Sequence, residues 1–335
     1  MRSDAGLSIL STRRRRLLVA AAAAGVLWTT GSACAQTFPD RPIAIVVPAP
    51  PGGTTDLAAR VIAEDLTKSL SISVVVHNKA GANGVAAMQS VLGSKPDGYT
   101  LYMAFSGFHV VSPNLTKLPF DTLKDVQPVA MVYIAPEVMA VRSTLEEVKT
   151  FRDLLTYGKA NPGKLKYASA GNGSIAHVGM EMLKGITGLD ILHVPYRGTG
   201  PLLTDLLGGQ VDMFLGSMPP FVPHLQGGRI RALLFTSNKR QPQFPDIPTS
   251  AELGLKGFTV ASWFALYAHR EVPAPIVEQL TQAVRKVMAQ PAFQKRATEL
   301  GAEATYMGPA DLAKYGQSEY DRWAAVIKSA GIKAD

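Results

Sequence analysis

From residue 43 the chain alternates two hydrophobic patterns. Short continuous apolar runs, such as "IAIVV" at 43–47, read as strands buried on both faces. Longer stretches with a single apolar stripe read as helices. Residues 56–70 carry Leu57, Val61, Ile62, Leu66 and Leu70 on one side and Arg60, Glu64, Asp65 and Lys68 elsewhere. The series continues with a strand at 72–76, a helix at 83–94 and a strand at 99–105. This βαβαβ order predicts a parallel sheet.

A second series follows residue 138. It predicts a helix at 145–160, a strand at 165–170, a helix at 175–186, a strand at 191–196, a helix at 201–207 and strands at 211–216 and 230–237. "TSAE" at 249–252 is a capping-box pattern opening a short helix. An extended run at 260–269 precedes helices at 273–290, 291–300 and 309–330, with Gly331 as the stop. No linker separates the halves. The expected architecture is α/β, with two lobes around a cleft and the chain crossing near 135–140 and 258–266. Lobe 1 is expected to comprise 36–138 plus 262–335, and lobe 2 139–261.

The N-terminus changes the picture of where the protein works. Arg13 to Arg16 precede an apolar stretch, Leu17 to Trp28, too short to span a bilayer, and Ala33-Cys34-Ala35 forms an A-x-A cleavage pattern. Residues 1–35 therefore read as a signal peptide cleaved after Ala35, which places the mature chain in the periplasm. Twin-arginine export stays open, although Arg13 stands where Ser or Thr is usual. A lipid anchor on Cys34 meets an objection in Gly31, which occupies a position where a lipobox carries leucine. Beyond the leader no apolar run is long enough for a transmembrane helix. Cys34 is the one cysteine, so the mature chain has no disulfide and no thiol chemistry.

Charge excludes one class of partner. The whole chain of 335 residues carries 34 basic and 26 acidic side chains, a formal charge of +8. Taking away the leader's five arginines and one aspartate leaves 29 basic and 25 acidic, or +4. That mild bias, with no Lys/Arg stripe interleaved with aromatics, does not describe a nucleic-acid binder.

The candidate chemistry lies in loops that follow strands and open helices. In Pro50-Pro51-Gly52-Gly53-Thr54-Thr55-Asp56 the glycines allow close backbone approach, and the following helix offers orphan N–H groups to an anion. A Walker A loop would need Lys-Ser/Thr, which is absent. The same residues also suit a plain capped turn. "SAGNGSIAH" at 169–177 is a second such loop. Gly171-x-Gly173-x-x-Ala176 fits a relaxed dinucleotide fingerprint, but Asp190 precedes the next strand instead of closing it, so a nicotinamide site fits poorly. As an anion site the loop fits well, with Ser174 at the helix start. His177 is either a further donor or a structural side chain.

Equivalent strand ends carry Ser106-Gly107-Phe108-His109, Tyr196-Arg197-Gly198-Thr199-Gly200 and Gly216-Ser217-Met218. Arg197 could pair with a carboxylate through two hydrogen bonds, or serve a surface or hinge salt bridge. Phe108, Tyr196, Phe221 and Trp263 are wall or core, with Tyr196 and Phe108 favoured as wall. The ligand-binding candidates are thus Pro51, Gly53, Thr54, Ser106, Phe108, Ala170, Gly171, Asn172, Ser174, His177, Tyr196, Arg197 and Ser217. No catalytic residue, metal ligand or cofactor is expected: no H-E-x-x-H, G-x-S-x-G or zinc-spaced Cys/His set occurs.

These blocks together resemble the tripartite tricarboxylate transporter (Bug-type) solute receptors. The resemblance rests on "FPDRPIAIVVPAPPGGTTDLAARVIAEDL", "NKAGANG", "KPDGYTLYM", "ANPGKLKYASAGNGSIAH", "HVPYRGTGPLLTDLLGGQVD", "GGRIRALLFTS", "FPDIPTSAELGLKGF" and "WAAVIKSAGI", in order from Phe38 to Ile332. It implies a type II periplasmic-binding-protein fold with a Venus-flytrap cleft. It also implies binding of a small carboxylic acid, delivery to a membrane permease, and a monomer without catalysis. The loops Pro51–Asp56 and Ala170–Ser174 would hold the carboxylate, chiefly by backbone N–H groups and hydroxyls. Thr54 departs from the family's third glycine, and "FLGSM" around Gly216 lacks an acidic or amide residue. An exported hydrolase or transferase using the same cleft, and a ligand sensor for a membrane kinase, are the alternatives.

Overall fold

The β-branched runs of the sequence become sheet strands, with Ile43–Val47 covered on both faces and Val74–Asn78 leaving Val75 exposed. The computed structural model describes residues 38–81 and 84–333. The expected leader, with Cys34 and its cleavage point, lies outside the described residues, as does the start of the helix expected at 83. Residues Arg41–Asp335 form one unit, and all that follows concerns it.

Strand β1 (Ile43–Val47) has its Ile and Val side chains at most 4% exposed. It pairs in parallel with β2 (Val74–Asn78) and β3 (Thr100–Phe105). Helix α1 (Thr54–Leu70) joins β1 to β2 and buries Ala58, Ala59, Ile62, Ala63 and Leu66. Helix α2 (Val85–Leu92) joins β2 to β3.

Strand β4 (Val126–Arg142) is 17 residues long and was expected only as a crossover near 135–140. Its two prolines argue against a central strand. The structure accommodates them: the register shifts between Pro128 and Ala130 and again between Met131 and Tyr133, and Pro136 sits where β4 changes partners. Up to Pro136, β4 pairs antiparallel with β9 (Ala261–His269), which also pairs with β3. From Glu137 it pairs with β7 (Met213–Ser217), and from Val138 with β8 (Ile230–Phe235). Strand β7 continues in parallel to β5 (Lys166–Ser169) and on to β6 (Leu192–Pro195). One strand thus belongs to two sheets.

In the second sheet, α3 (Phe151–Ala160) precedes β5, α4 (Ile175–Thr187) joins β5 to β6, and α5 (Thr199–Leu207) joins β6 to β7. A short α6 (Val222–Gln226) precedes β8. Helices α7 (Ala274–Met288), α8 (Pro291–Glu299) and α9 (Pro309–Ala330) close the chain. Among the described residues no helix is long and apolar enough to cross a membrane.

Three local expectations need correction. The helix expected from 145 starts at Phe151, because Thr150 and Asp153 form a reciprocal capping box there. The Thr249–Glu252 box also forms, at 2.8 and 3.1 Å, but opens turns and no helix. Gly254 and Gly257, at φ of +75° and +77°, take the chain out of helical geometry within one turn. Finally, the loop expected at 106–109 is a π-helical turn, Gly107–Val111, whose five residues are all buried.

Replacing Thr150 by alanine should lower stability by about 1 kcal/mol, read as a reduced denaturant midpoint with an unchanged slope. An unaltered midpoint would remove the capping box as what starts α3.

Candidate ligand-binding cleft

Three helices begin at one cavity. The N-caps Gly53 of α1, Ser174 of α4 and Gly198 of α5 all border a space of about 830 Å³. In α1 the first internal bond runs from Leu57 N–H to the Gly53 carbonyl at 3.0 Å. The N–H groups of Thr54, Thr55 and Asp56 therefore have no acceptor within the helix. Neither Gly53 nor Gly198 supplies a side-chain cap. Their helices present positive dipole ends to the space between them.

The first loop is stapled from behind. Asp56 Oδ2 accepts from Gly52 N–H and Arg60 Nε, both at 2.9 Å, and Asp56 Oδ1 accepts from Asn78 Nδ2 at 2.9 Å. Burial opposes ionisation of this carboxyl, but hydrogen bonds from Arg60, Gly52 and Asn78 overcome it and hold the group below the usual carboxylate range. Asp56 is a strut of the loop, and Gly52, at φ +82°, supplies the backbone conformation the strut needs.

The second loop is closed on itself. Ser174 N–H donates to the Gly171 carbonyl at 3.1 Å, and Gly173 N–H to His177 Nδ1 at 3.2 Å. Ser174 Oγ accepts from His177 N–H at 3.2 Å, which leaves its own proton to donate. Ser169 Oγ lies 2.7 Å from His193 Nε2, and the rings of His177 and His193 stack at 4.4 Å. These contacts fix the loop's position from beneath.

Of the residues expected from sequence, Gly53, Thr54, Ala170, Gly171, Ser174, Tyr196, Arg197 and Ser217 border the cavity. Tyr196 is held there by its hydroxyl, which donates to Asp205 Oδ2 at 2.7 Å. Arg197 is exposed and forms no ion pair among the described residues. Pro51, Ser106, Phe108, Asn172 and His177 are not brought to the wall. Pro51 points to solvent beyond the turn. Ser106 is fully buried, its Oγ facing Trp263 N–H at 3.4 Å. Phe108 is fully buried because Gly84 leaves room for its ring: a Cβ there would stand 2.9 Å from Phe108 Cγ. His177 is turned under the loop by its bond to Gly173.

Phe105, Phe221 and Phe264 form apolar wall instead, and Trp263 is core at 0% exposure. Sequence reasoning also missed Glu137 and Ser262, which border the same space. Glu137 is 1% exposed, and its Oε1 accepts from Ser217 Oγ at 3.0 Å and Ser262 Oγ at 2.5 Å. Burial pushes the carboxyl up to about 7, with the serine hydrogen bonds only partly offsetting it. An acid inside the apolar run "IAPEVMA" was a visible signal, since charge inside an apolar run needs a reason.

Residues 58–332 match the family described as the tripartite tricarboxylate transporter family receptor. The chain belongs to that family. It is similar to the protein BugT of Bordetella pertussis, 36% identical over 301 residues that cover 89% of this chain and 92% of BugT. Its fold matches that of Rpa4515 from R. palustris, solved with adipate, at a TM-score of 0.85 and 34% identity, covering 88% of this chain and 99% of that one. It also matches the periplasmic binding protein BugD, at a TM-score of 0.84 and 34% identity, covering 89% and 100%. The expected two-lobed binding-protein architecture is therefore the fold of this receptor. The family and these neighbours are solute-binding proteins, which sets aside the exported hydrolase or transferase.

Two sets of experiments follow from this geometry. The receptor's first and third loops touch: a Cβ on Gly198 would meet Pro50 Cδ at 3.0 Å, and Gly198 has a φ of +110°. Gly198→Ala should weaken ligand binding by about tenfold, through a strained backbone and an obstructed contact. Calorimetric titration showing unchanged affinity would separate the Pro50–Gly198 contact from the ligand-bound form. Glu137 gives a pH signature in the empty protein. Its carboxyl is raised from an ordinary 4.5 to about 7, so between those values the folded chain holds a proton that the unfolded chain has released. Stability present below about pH 4.5 is lost as pH rises through about 7. Glu137→Gln should lack that loss and gain on the wild type from pH 5 to 7.5 in thermal melts. Parallel pH profiles would contradict it.

Proposed function

We propose that this receptor is exported to the periplasm, closes two lobes around one small carboxylic acid, and delivers it to the membrane permease of a tripartite transporter. The observation that carries the reading is the convergence of helix starts on one cavity, two of them without side-chain caps, beside an arginine without an ion pair among the described residues. Uncapped N-termini and a free guanidinium are what an anion completes. Adipate, held by the solved relative Rpa4515, is an acid of this class, and the Arg-rich, apolar leader pattern supports export.

The lobes are those read from the sequence, 36–138 with 262–335 and 139–261. The change of β4's partner between Pro136 and Glu137 supports the first boundary, and the entry into β9 at Ala261 the second. Closure about these two crossings would be driven by contacts made only in the shut form. The receptor acts as a monomer, because one chain supplies all three loops of the cavity.

A thermal-shift screen of mono- and dicarboxylates, adipate included, tests this reading. A bound acid at 100 times its dissociation constant raises stability by about 2.7 kcal/mol. Arg197→Ala should weaken the best acid by roughly 10- to 100-fold, the range for a hydrogen bond to a charged group. A screen in which no carboxylate raises the melting temperature would end the carboxylate assignment.

A further inference from the structure

Glu137 is the acid at the cavity that the carboxylate reading leaves unused. Three strands meet at it: it lies on β4, opposite Ser217 at the end of β7, and beside Ser262 near the start of β9. All three residues border the cavity. Both serine hydroxyls go to one carboxylate oxygen, Oε1, while Oε2 is buried without a partner among the described residues.

A carboxylate is a poor choice for a strut alone. A glutamine carbonyl would accept from the same two serines without the penalty of burying charge. An unpartnered carboxylate oxygen in a low-dielectric site costs free energy until a donor meets it. The Ser262 N–H also favours the charged carboxyl, but no donor among the described residues reaches Oε2. The N–H of Glu137 itself is directed to Thr236 Oγ1 at 3.2 Å and the Val260 carbonyl at 3.3 Å, and its carbonyl accepts from Thr236 N–H at 2.9 Å. The missing donor is therefore left to whatever enters the cavity.

The cavity is polarised as a result. Helix starts and Arg197 offer positive potential to a carboxylate, and Glu137 offers the opposite sign. We propose that Glu137 is a specificity residue of this receptor, and that the preferred ligand carries a protonated amine as well as its carboxylate. This rests on the carboxylate reading above. Glu137 attracts the ammonium and rejects a second carboxylate, which would meet a like charge or have to bring a proton with it. Rejection of this kind discriminates more sharply than added attraction, because a buried charge left facing its like is unpaired twice. A plain dicarboxylate such as adipate is then a poorer fit here than a matched amino acid.

The test is a calorimetric panel at pH 8 on the purified protein. The probes are acids of four to six carbons bearing at the far end, or beside the carboxylate, a second carboxylate, an ammonium, a hydroxyl or a methyl group. The ammonium members should bind the wild type at least tenfold more tightly than the matched dicarboxylates. Glu137→Gln should reverse that order, and Glu137→Asp, which keeps the charge, should retain it. Retention by Glu137→Asp keeps the proposal open to test if the glutamine variant does not fold. A dicarboxylate that binds the wild type best, or a Glu137→Gln change that weakens all members equally, would overturn the assignment while leaving the carboxylate receptor intact. Failure of every acid with all three proteins would instead remove the receptor reading, and the proposal with it.

Discussion

The structure depends on one strand serving two sheets. β4 runs 17 residues, and its two ends pair with different neighbours. Proline at 136 has no N–H to give, so the ladder must break there. The next residue repairs the break: Glu137 binds Thr236 through both its N–H and its carbonyl. The partners can change at this point without leaving buried backbone groups unpaired.

The same junction explains why the cavity has opposite poles. Helix N-termini point inward because each helix follows a parallel strand and starts at that strand's carboxyl end. They supply positive potential from backbone alone. Glu137, once ionised above about pH 7, supplies negative potential from the floor, where β4, β7 and β9 meet. On the proposed reading, the site joins an anion cradle of backbone N–H groups to one chemically selective side chain.

One buried polar group, His109, is held neutral by its surroundings. His109 lies in the π-helical turn with its ring 4.4 Å from Tyr267 and 5.6 Å from Trp263. Complete burial holds its imidazole down at about 3, so it is neutral through the ordinary histidine range. The turn that buries His109 also carries Phe108 into the core and keeps Ser106 beneath the wall.

Local pattern was enough for the order of strands and helices. Continuous apolar runs and single-stripe helices are properties of neighbouring residues, and β1, α1, β3, α4 and α9 need nothing more. It was also enough for the two glycine loops, since a strand, glycines and a helix start are adjacent in the chain. What tertiary structure alone decided is the pairing of distant segments. β4 was read only as a crossing between two α/β halves, and only pairing with β9 on one side and with β7 and β8 on the other makes it a strand. Phe108 left the wall because Gly84, far from it in sequence, makes room for its ring. Glu137 joined the site because Ser217 and Ser262 come to it across two strand pairings. The chain by itself determines periodicity and turn chemistry; which side chains share a cavity is set by long-range register, which no short stretch encodes.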